Sequence, residues 1–245
     1  MVRPVASLAP SMTTIGILGA GKVGTTLARL TLAAGHDVVL AGSPRQPMQA
    51  LIVETLVPGS RLLPEAEVVA AADIVIVAVP FGKASTIDWA ALSGTVVVDA
   101  MNHWYAVDGD LDEVTEHDGP TAELTFRRNP AMRLVRSLNH LGYHDMETDA
   151  RPAGHPLRRA VVVAGDDEDA RAQVARYVDD LGFDPVLAPL AATAVIDADG
   201  AAFGIEMPAE QMIAVIDEHA GEGTASRWGQ AVASSGTDQS STSVR

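Results

Sequence analysis

Uninterrupted apolar runs, rather than alternating apolar and polar positions, mark the strands of this chain. Such runs are typical of strands that are buried on both faces of a parallel sheet. The runs that predict strands span residues 15–18, 38–42, 74–79, 96–99, 134–138 and 160–164. Helical patterns separate most of them, and strands that alternate with helices at this spacing predict an α/β fold built on a doubly wound parallel sheet.

The composition and periodicity of the sequence change along the chain and predict four segments. Residues 1–12 show no periodicity and are expected to form a flexible extension, while residues 13–140 hold the predicted nucleotide-binding sheet. Residues 141–220 predict a small α+β unit that includes a short strand near 194–196. Residues 221–245 are rich in Gly, Ser and Thr with little apolar content, which predicts a disordered tail.

The first strand runs directly into a Gly-x-Gly-x-x-Gly motif, and a helical pattern follows at once. This strand–turn–helix context is the one that a dinucleotide fingerprint requires. The first glycine allows the tight turn, the second lets the backbone approach a pyrophosphate, and the third lets the helix pack against the strand. The predicted cofactor-binding loop consists of Gly19, Ala20, Gly21, Lys22, Val23 and Gly24.

The end of the second strand predicts which dinucleotide binds. An NAD site places Asp or Glu about 20 residues beyond the first glycines, where the carboxylate holds the ribose hydroxyls. This chain has Ser43 and Arg45 instead, and Asp37 lies at the start of the strand, far from the ribose. A hydroxyl and a guanidinium would bind a 2′-phosphate that a carboxylate would repel. We therefore expect NADP(H); the alternative is that residues 43–45 form a turn with a solvated charge.

Composition and charge argue against several classes of protein. The formal net charge of −15 at pH 7 disfavours nucleic-acid binding. The sequence has no apolar run of transmembrane length, and its lack of cysteine excludes a thiol nucleophile, a disulfide and a cysteine-ligated metal. We therefore expect a cytoplasmic protein with neither a membrane nor a nucleic-acid partner.

Further candidate residues follow the other strands, at the edge where ligands bind in open parallel sheets. Val79 and Pro80 follow the run 74–79 and are candidates for a wall beside the nicotinamide ring. Asn102 follows the next strand and could hydrogen-bond the carboxamide or the ribose. Alternatively, Pro80 only ends a strand and Asn102 only caps a turn.

The densest polar cluster is the segment 139–145, Asn-His-Leu-Gly-Tyr-His-Asp. His140 or Tyr143 could act as a catalytic proton donor if the substrate needs one. The alternative is a packed loop whose histidines are satisfied structurally. Two histidines four residues apart could face one metal ion on a helix, but Gly142 disfavours a regular helix here, so we expect no metal site.

Several of these segments together resemble the coenzyme F420-dependent NADP oxidoreductase family, over roughly residues 13–205. The similar segments are residues 15–24, 41–43, 73–80, 97–104, 139–145, 150–154 and 163–167. The resemblance implies a Rossmann-type sheet with NADPH in its N-terminal half. It also implies reversible hydride transfer between NADPH and the deazaflavin coenzyme F420, which would be the co-substrate.

By position, the resemblance makes Ser43 and Arg45 the 2′-phosphate contacts and Val79 and Pro80 the nicotinamide wall. It implies a homodimer, and a deazaflavin in the cleft shared with the small C-terminal unit. An anionic coenzyme in so acidic a chain requires a local positive patch. The candidates for that patch are Arg127, Arg128, Arg133, Arg136, Arg151, Arg158 and Arg159.

Two other functions remain open. The chain could be an NADPH-dependent reductase of a small carbonyl, imine or ferric substrate, with His140 or Tyr143 as the proton donor. It could also be a non-catalytic NADP(H) sensor, although a sensor needs no room for a second ring.

Overall fold

The computed structural model describes residues 12–43 and 48–223, and of residues 220–223 the backbone only. Predictions that concern residues 1–11, 44–47 and 224–245 therefore lie outside the described residues. Arg45 is among them.

The described residues form an eight-stranded sheet with the spatial order β3-β2-β1-β4-β5-β6-β7-β8. Neighbouring strands run parallel except for the pair β6 and β7. The strands are β1 Thr14–Leu18, β2 Asp37–Ala41, β3 Arg61–Leu62, β4 Ile74–Val77, β5 Val96–Asp99, β6 Arg133–Ser137, β7 Ala160–Ala164 and β8 Asp184–Ala188. The order 3-2-1-4-5-6 is that of the Rossmann fold, so the predicted doubly wound sheet is confirmed.

Helices cover both faces of the sheet. They are α1 Lys22–Ala33, α2 Gln49–Leu56, α3 Glu65–Ala71, α4 Tyr105–Asp108, α5 Asp112–Thr115, α6 Thr121–Arg128, α7 Met146–Asp149, α8 Glu168–Asp180 and α9 Ala209–Gly223. Short 3₁₀ helices span Phe81–Thr86, Trp89–Leu92 and Leu190–Ile196. The apolar pattern did not predict the two-residue strand β3 or the helix α6, because neither carries a long apolar run.

The chain reverses direction between β6 and β7. Residues 138–159 stay at the carboxyl edge of β6, so β7 starts from that edge and pairs antiparallel to β6, Arg136 lying opposite Ala164. The strand predicted near 194–196 is wrong, since these residues end a 3₁₀ helix that begins at Leu190. That helix follows Pro189, whose fixed φ suits a turn better than a strand interior.

Successive side chains of each central strand are buried on opposite faces. Ile15 and Ile17 pack with Leu27 of α1 in one core cluster. Leu18 packs with Val68 of α3 in the cluster on the other face. This two-sided burial is the physical reason that the strands read as continuous apolar runs. No helix in the described part of the chain is long and apolar enough to cross a membrane.

Candidate active site

The register of the sheet brings the ends of four parallel strands to one edge. Leu18 of β1 pairs with Val77 of β4, Val77 pairs with Asp99 of β5, and Asp99 pairs with Arg136 of β6. The loops that leave these residues therefore share one edge of the sheet. This edge, at the reversal of strand order between β1 and β4, is the place where open α/β sheets bind ligands.

The three glycines of the fingerprint loop have three different environments. Gly19 has φ +124°, and a Cβ added there would lie 2.4 Å from the Ala78 carbonyl oxygen. A Cβ at Gly24 would lie 1.8 Å from the Gly19 carbonyl oxygen, so any side chain would force α1 away from β1. A Cβ at Gly21 would meet nothing within 4 Å. Gly21 therefore faces open space, as expected of the glycine beside a pyrophosphate.

The start of α1 is suited to an anion. Gly21 occupies the N-cap position without a side-chain cap, and the first turn of α1 contains no acidic residue. Uncapped N–H groups and the positive end of the helix dipole favour a phosphate at this position. The predicted loop residues therefore fit the diphosphate of a dinucleotide.

The end of β2 places Ser43 at the surface beside this loop. Ser43 is exposed, and the Gly19 N–H donates to the Ala41 carbonyl oxygen at 2.9 Å, which joins the ends of β1 and β2. Gly42 leaves room for Gln49, since a Cβ on Gly42 would lie 2.1 Å from Gln49 Oε1. The position of Ser43 is compatible with a ribose or 2′-phosphate contact, which remains a prediction.

Val79 and Pro80 follow β4 on the same edge. Val79 is half-buried and its Cγ1 would lie 3.2 Å from a Cβ on Gly19, so this side chain borders the fingerprint loop. Pro80 is exposed and precedes the 3₁₀ helix at Phe81. Both residues are placed where a nicotinamide wall is expected, and that role remains a prediction.

The side-chain amide of Asn102 is held by hydrogen bonds to Asn139 and Arg136. Its Nδ2 donates to the Asn139 carbonyl oxygen at 2.6 Å, and its Oδ1 accepts from Asn139 Nδ2 at 3.1 Å and from Arg136 Nη2 at 3.4 Å. One Nδ2 hydrogen remains beyond these bonds. Asn102 could therefore donate to a ligand but has little capacity left to accept.

A buried ion cluster lies beneath Asn102, and the sequence reasoning missed it as a unit. Arg136 is fully buried, and its guanidinium lies 2.8 Å from Asp99 Oδ2 and 2.8 Å from Asp197 Oδ1. Asp197 in turn accepts from the backbone N–H and the hydroxyl of Thr121. The cluster thus joins the ends of β5 and β6 to α6 and to the segment after the last 3₁₀ helix. The available signal was a charged residue inside each of two apolar strands.

The backbone between this cluster and the segment 139–145 is constrained. Leu138 has φ +64°, the only positive φ of a non-glycine residue in the described ranges. The Asn139 side chain donates to the Ile196 carbonyl oxygen at 2.5 Å, and this bond holds the turn against the C-terminal unit. Left-handed backbone at a bulky residue persists only where its surroundings hold it, and it is common at ligand sites.

His140 lies in the protein interior. Its side chain is not exposed, and its Nε2 lies 3.4 Å from the Val162 N–H that donates to it. Burial, and after it the nearby guanidinium groups of Arg159 and Arg136, lower the pKa of His140 to about 3. A neutral, enclosed imidazole is a poor acid near neutral pH, so the structure argues against the proton-donor role predicted for His140.

The buried His140 should make the stability of the fold depend on pH. Its pKa is near 6.5 in the unfolded chain and about 3 in the fold, so between these values the unfolded state binds the extra proton. The stability that follows from this pKa difference is complete above about pH 6.5. The free energy of unfolding then falls as the pH falls, by about 2 kcal/mol between pH 7 and pH 5. Urea unfolding at both pH values should show a smaller loss for His140→Gln than for the wild type. An equal loss in the two proteins would contradict the assignment.

Tyr143 lies beside the fingerprint loop. Lys22 Nζ donates to Tyr143 Oη at 3.1 Å, and it lies 5.2 Å from the centroid of the ring. Tyr143 is half-buried, and its ring also packs against the ring of His144. Of the two predicted proton donors, only Tyr143 is therefore near the predicted nucleotide loop and reachable from solvent.

Most of the arginines predicted to form a positive patch are already neutralised by carboxylates. Six of the seven form ion pairs with carboxylates, and Arg151 donates to the carbonyl oxygens of Thr148 and Ala150. The pairs are Arg127–Glu123, Arg128–Glu113, Arg133–Asp167, Arg136–Asp99, Arg136–Asp197, Arg158–Asp179, Arg158–Asp184 and Arg159–Asp149. Among the described residues, no group of three His, Asp or Glu side chains is arranged to hold a metal ion.

Comparison with known proteins gives a family match and a set of similar folds. Residues 14–103 match the model of the family described as coenzyme F420-dependent NADP oxidoreductases. No curated protein sequence matches the chain.

Among solved structures, the hypothetical protein SMa0349 of Sinorhizobium meliloti is 25% identical with a TM-score of 0.66, covering 80% of this chain and 95% of its own. A candidate F420-dependent NADP-reductase of Arthrobacter sp. FB24 is 25% identical with a TM-score of 0.57, covering 73% of this chain and 86% of its own. An imine reductase of Pseudomonas sp., 19% identical with a TM-score of 0.51 over 74% of this chain and 58% of its own, is similar in fold. The resemblance predicted from the sequence is thus confirmed by the family match over residues 14–103, and the comparisons support an NADP-dependent oxidoreductase.

Proposed function

We propose that this chain transfers a hydride between NADP(H) and a deazaflavin, coenzyme F420, reversibly. The observation that carries the proposal is the fingerprint loop, in which Gly19 and Gly24 are crowded while Gly21 faces open space. The family match over residues 14–103 and the likeness to the Arthrobacter protein support the deazaflavin as the second substrate.

The nicotinamide would supply the hydride, and the residues of the chain would bind, orient and shield it. The loop 19–24 would hold the diphosphate, Ser43 and Arg45 the 2′-phosphate, and Val79 with Pro80 one face of the ring. Hydride transfer needs the two reacting carbons about 3–3.5 Å apart and in a water-poor site. A deazaflavin accepts the hydride on its own ring, so this reaction requires no obligatory proton donor from the protein.

Charge favours a second candidate function. Apart from Arg151, the arginines of the predicted patch are paired with carboxylates. The lysines at this edge are Lys22 and Lys83, and neither is paired with a carboxylate among the described residues. An uncharged carbonyl or imine acceptor would need no such patch. In that reaction Tyr143, rather than the buried His140, would be the candidate proton donor.

One assay separates these functions. Purified protein is mixed with NADPH and oxidised coenzyme F420, and the visible absorbance of the oxidised deazaflavin is followed, with carbonyl, imine and ferric acceptors in parallel. We expect loss of the deazaflavin absorbance with NADPH and a much slower loss with NADH. Turnover of a carbonyl or imine alone would support the second candidate, and tight NADPH binding without oxidation by any acceptor would support a sensor.

The remaining predictions belong to the same proposal. We propose a cytoplasmic homodimer, with the domain boundaries at 13–140 and 141–220. Sedimentation of the full chain at several concentrations would test the dimer, because a constant monomer mass would contradict it.

A further inference from the structure

The pair Lys22 and Tyr143 has no carboxylate partner, although the chain is strongly acidic. The net charge is −15, and seven arginines of the described ranges are bound to Asp or Glu. Lys22 instead donates to the neutral hydroxyl of Tyr143 at 3.1 Å. A cation left without a carboxylate in such a chain is available to an anion that the protein itself does not supply.

The hydrogen-bonding capacity of the pair is largely unused. The Tyr143 oxygen accepts from Lys22, so its own O–H remains a donor, and no acceptor for it is found among the described residues. The Lys22 ammonium has three donors and uses one of them here. Two adjacent donor groups, one of them charged, suit a phosphate oxygen better than a neutral carbonyl.

The protein fixes this pair over the start of α1. Lys22 is the first residue of α1, and Arg29 lies seven residues later on the same face of the helix. Arg29 binds Glu147 of α7 through two bonds, Nε to Oε1 at 2.8 Å and Nη2 to Oε2 at 2.7 Å. The segment from Tyr143 to Glu147 is therefore attached to α1 at two points, two turns apart.

We propose that Lys22 and Tyr143 together bind the diphosphate of the nucleotide, so that Tyr143 is a nucleotide-binding residue from outside the fingerprint and not the proton donor. The inference rests on the proposed nucleotide binding and deepens it. In this arrangement the segment 139–149 covers the phosphates, while the glycine loop binds them from the other side through its backbone.

The test is calorimetric titration of the full chain with three ligands: NADP⁺, 2′-phospho-ADP-ribose, which lacks the nicotinamide, and adenosine 2′-monophosphate, which lacks the diphosphate. For Tyr143→Phe we expect the Kd of the first two to rise about fivefold to tenfold each, and the Kd of the third to stay unchanged. Lys22→Met should weaken the same two ligands and reduce the salt dependence of their binding. Tyr105→Phe is the matched control, because the Tyr105 hydroxyl is exposed and has no hydrogen bond among the described residues.

Three outcomes would count against the inference. If Tyr143→Phe and Lys22→Met bind all three ligands like the wild type, the inference alone is overturned. If Tyr143→Phe weakens NADP⁺ but not 2′-phospho-ADP-ribose, the tyrosine acts at the nicotinamide end and the inference is likewise overturned. Wild-type protein that binds none of the ligands would overturn the proposed function and the inference with it.

Discussion

Substituting Gly21 by valine should remove nucleotide binding and leave the fold intact. Gly21 has φ −85°, which any residue adopts, and a Cβ there meets no protein atom within 4 Å. The valine side chain would instead occupy the space that a diphosphate needs. We expect the Kd for NADP⁺ to rise at least about a hundredfold, or about 2.7 kcal/mol, with the free energy of unfolding changed by less than about 1 kcal/mol.

Gly24→Val is the informative comparison for this prediction. A Cβ at Gly24 would lie 1.8 Å from the Gly19 carbonyl oxygen, so this variant should lose thermal stability as well as binding. Calorimetric titration and thermal unfolding of both variants separate a blocked ligand from a disrupted fold. Undiminished NADP⁺ binding by Gly21→Val would show that the diphosphate does not lie over Gly21.

The second large effect is expected at Arg136. Replacing it with methionine would leave Asp99, which is fully buried, and Asp197 without their cation. Removing one partner of a buried ion pair costs about 3–5 kcal/mol, a large share of the roughly 5–15 kcal/mol that stabilises a typical domain. We expect urea unfolding to show a loss of this size, and we expect it to be accompanied by weaker nucleotide binding, since Arg136 also orients Asn102.

Two further variants show whether the charge is the cause. The triple variant Arg136→Met, Asp99→Asn, Asp197→Asn should regain most of the stability, because no unpaired charge then remains buried. Arg127→Met is the matched control: the Arg127 side chain is 63% exposed and lies 3.7 Å from Glu123, so its loss should cost less than about 1 kcal/mol. Equal losses for Arg127→Met and Arg136→Met would refute the buried-charge explanation.

The same cluster explains how the C-terminal unit could matter to the edge of the sheet where the nucleotide is proposed to bind. Asp197 follows the 3₁₀ helix Leu190–Ile196, yet it binds Arg136 of β6 and Thr121 at the start of α6. Asn139 also donates to the Ile196 carbonyl oxygen. A displacement of residues 190–197 would therefore disturb hydrogen bonds of Arg136 and Asn139, the two residues that bind the Asn102 amide.

The sequence by itself determined six of the eight strands and the position of the glycine loop. The strands were predicted because burial on both faces requires apolar residues at every position, which is a local signal. The fingerprint was predicted because the contacts that require its glycines come from residues nearby in the sequence. At Gly24, for example, the Gly19 carbonyl oxygen leaves no room for a side chain. Such constraints act between residues that are close in the sequence, so a short motif shows them.

Only the tertiary structure decided which polar residues meet. Arg136 and Asp197 are 61 residues apart, and Lys22 and Tyr143 are 121 apart, so no local pattern links either pair. The burial of His140 could not be predicted either, because the sequence does not distinguish a histidine that lines a cleft from one that is buried in the core. The strand expected near 194–196 is instead part of a 3₁₀ helix, and the Ile196 carbonyl oxygen accepts from Asn139, a long-range contact that local propensity does not express. Local chemistry specified the elements, and long-range packing specified which of their side chains are enclosed and which remain free to bind.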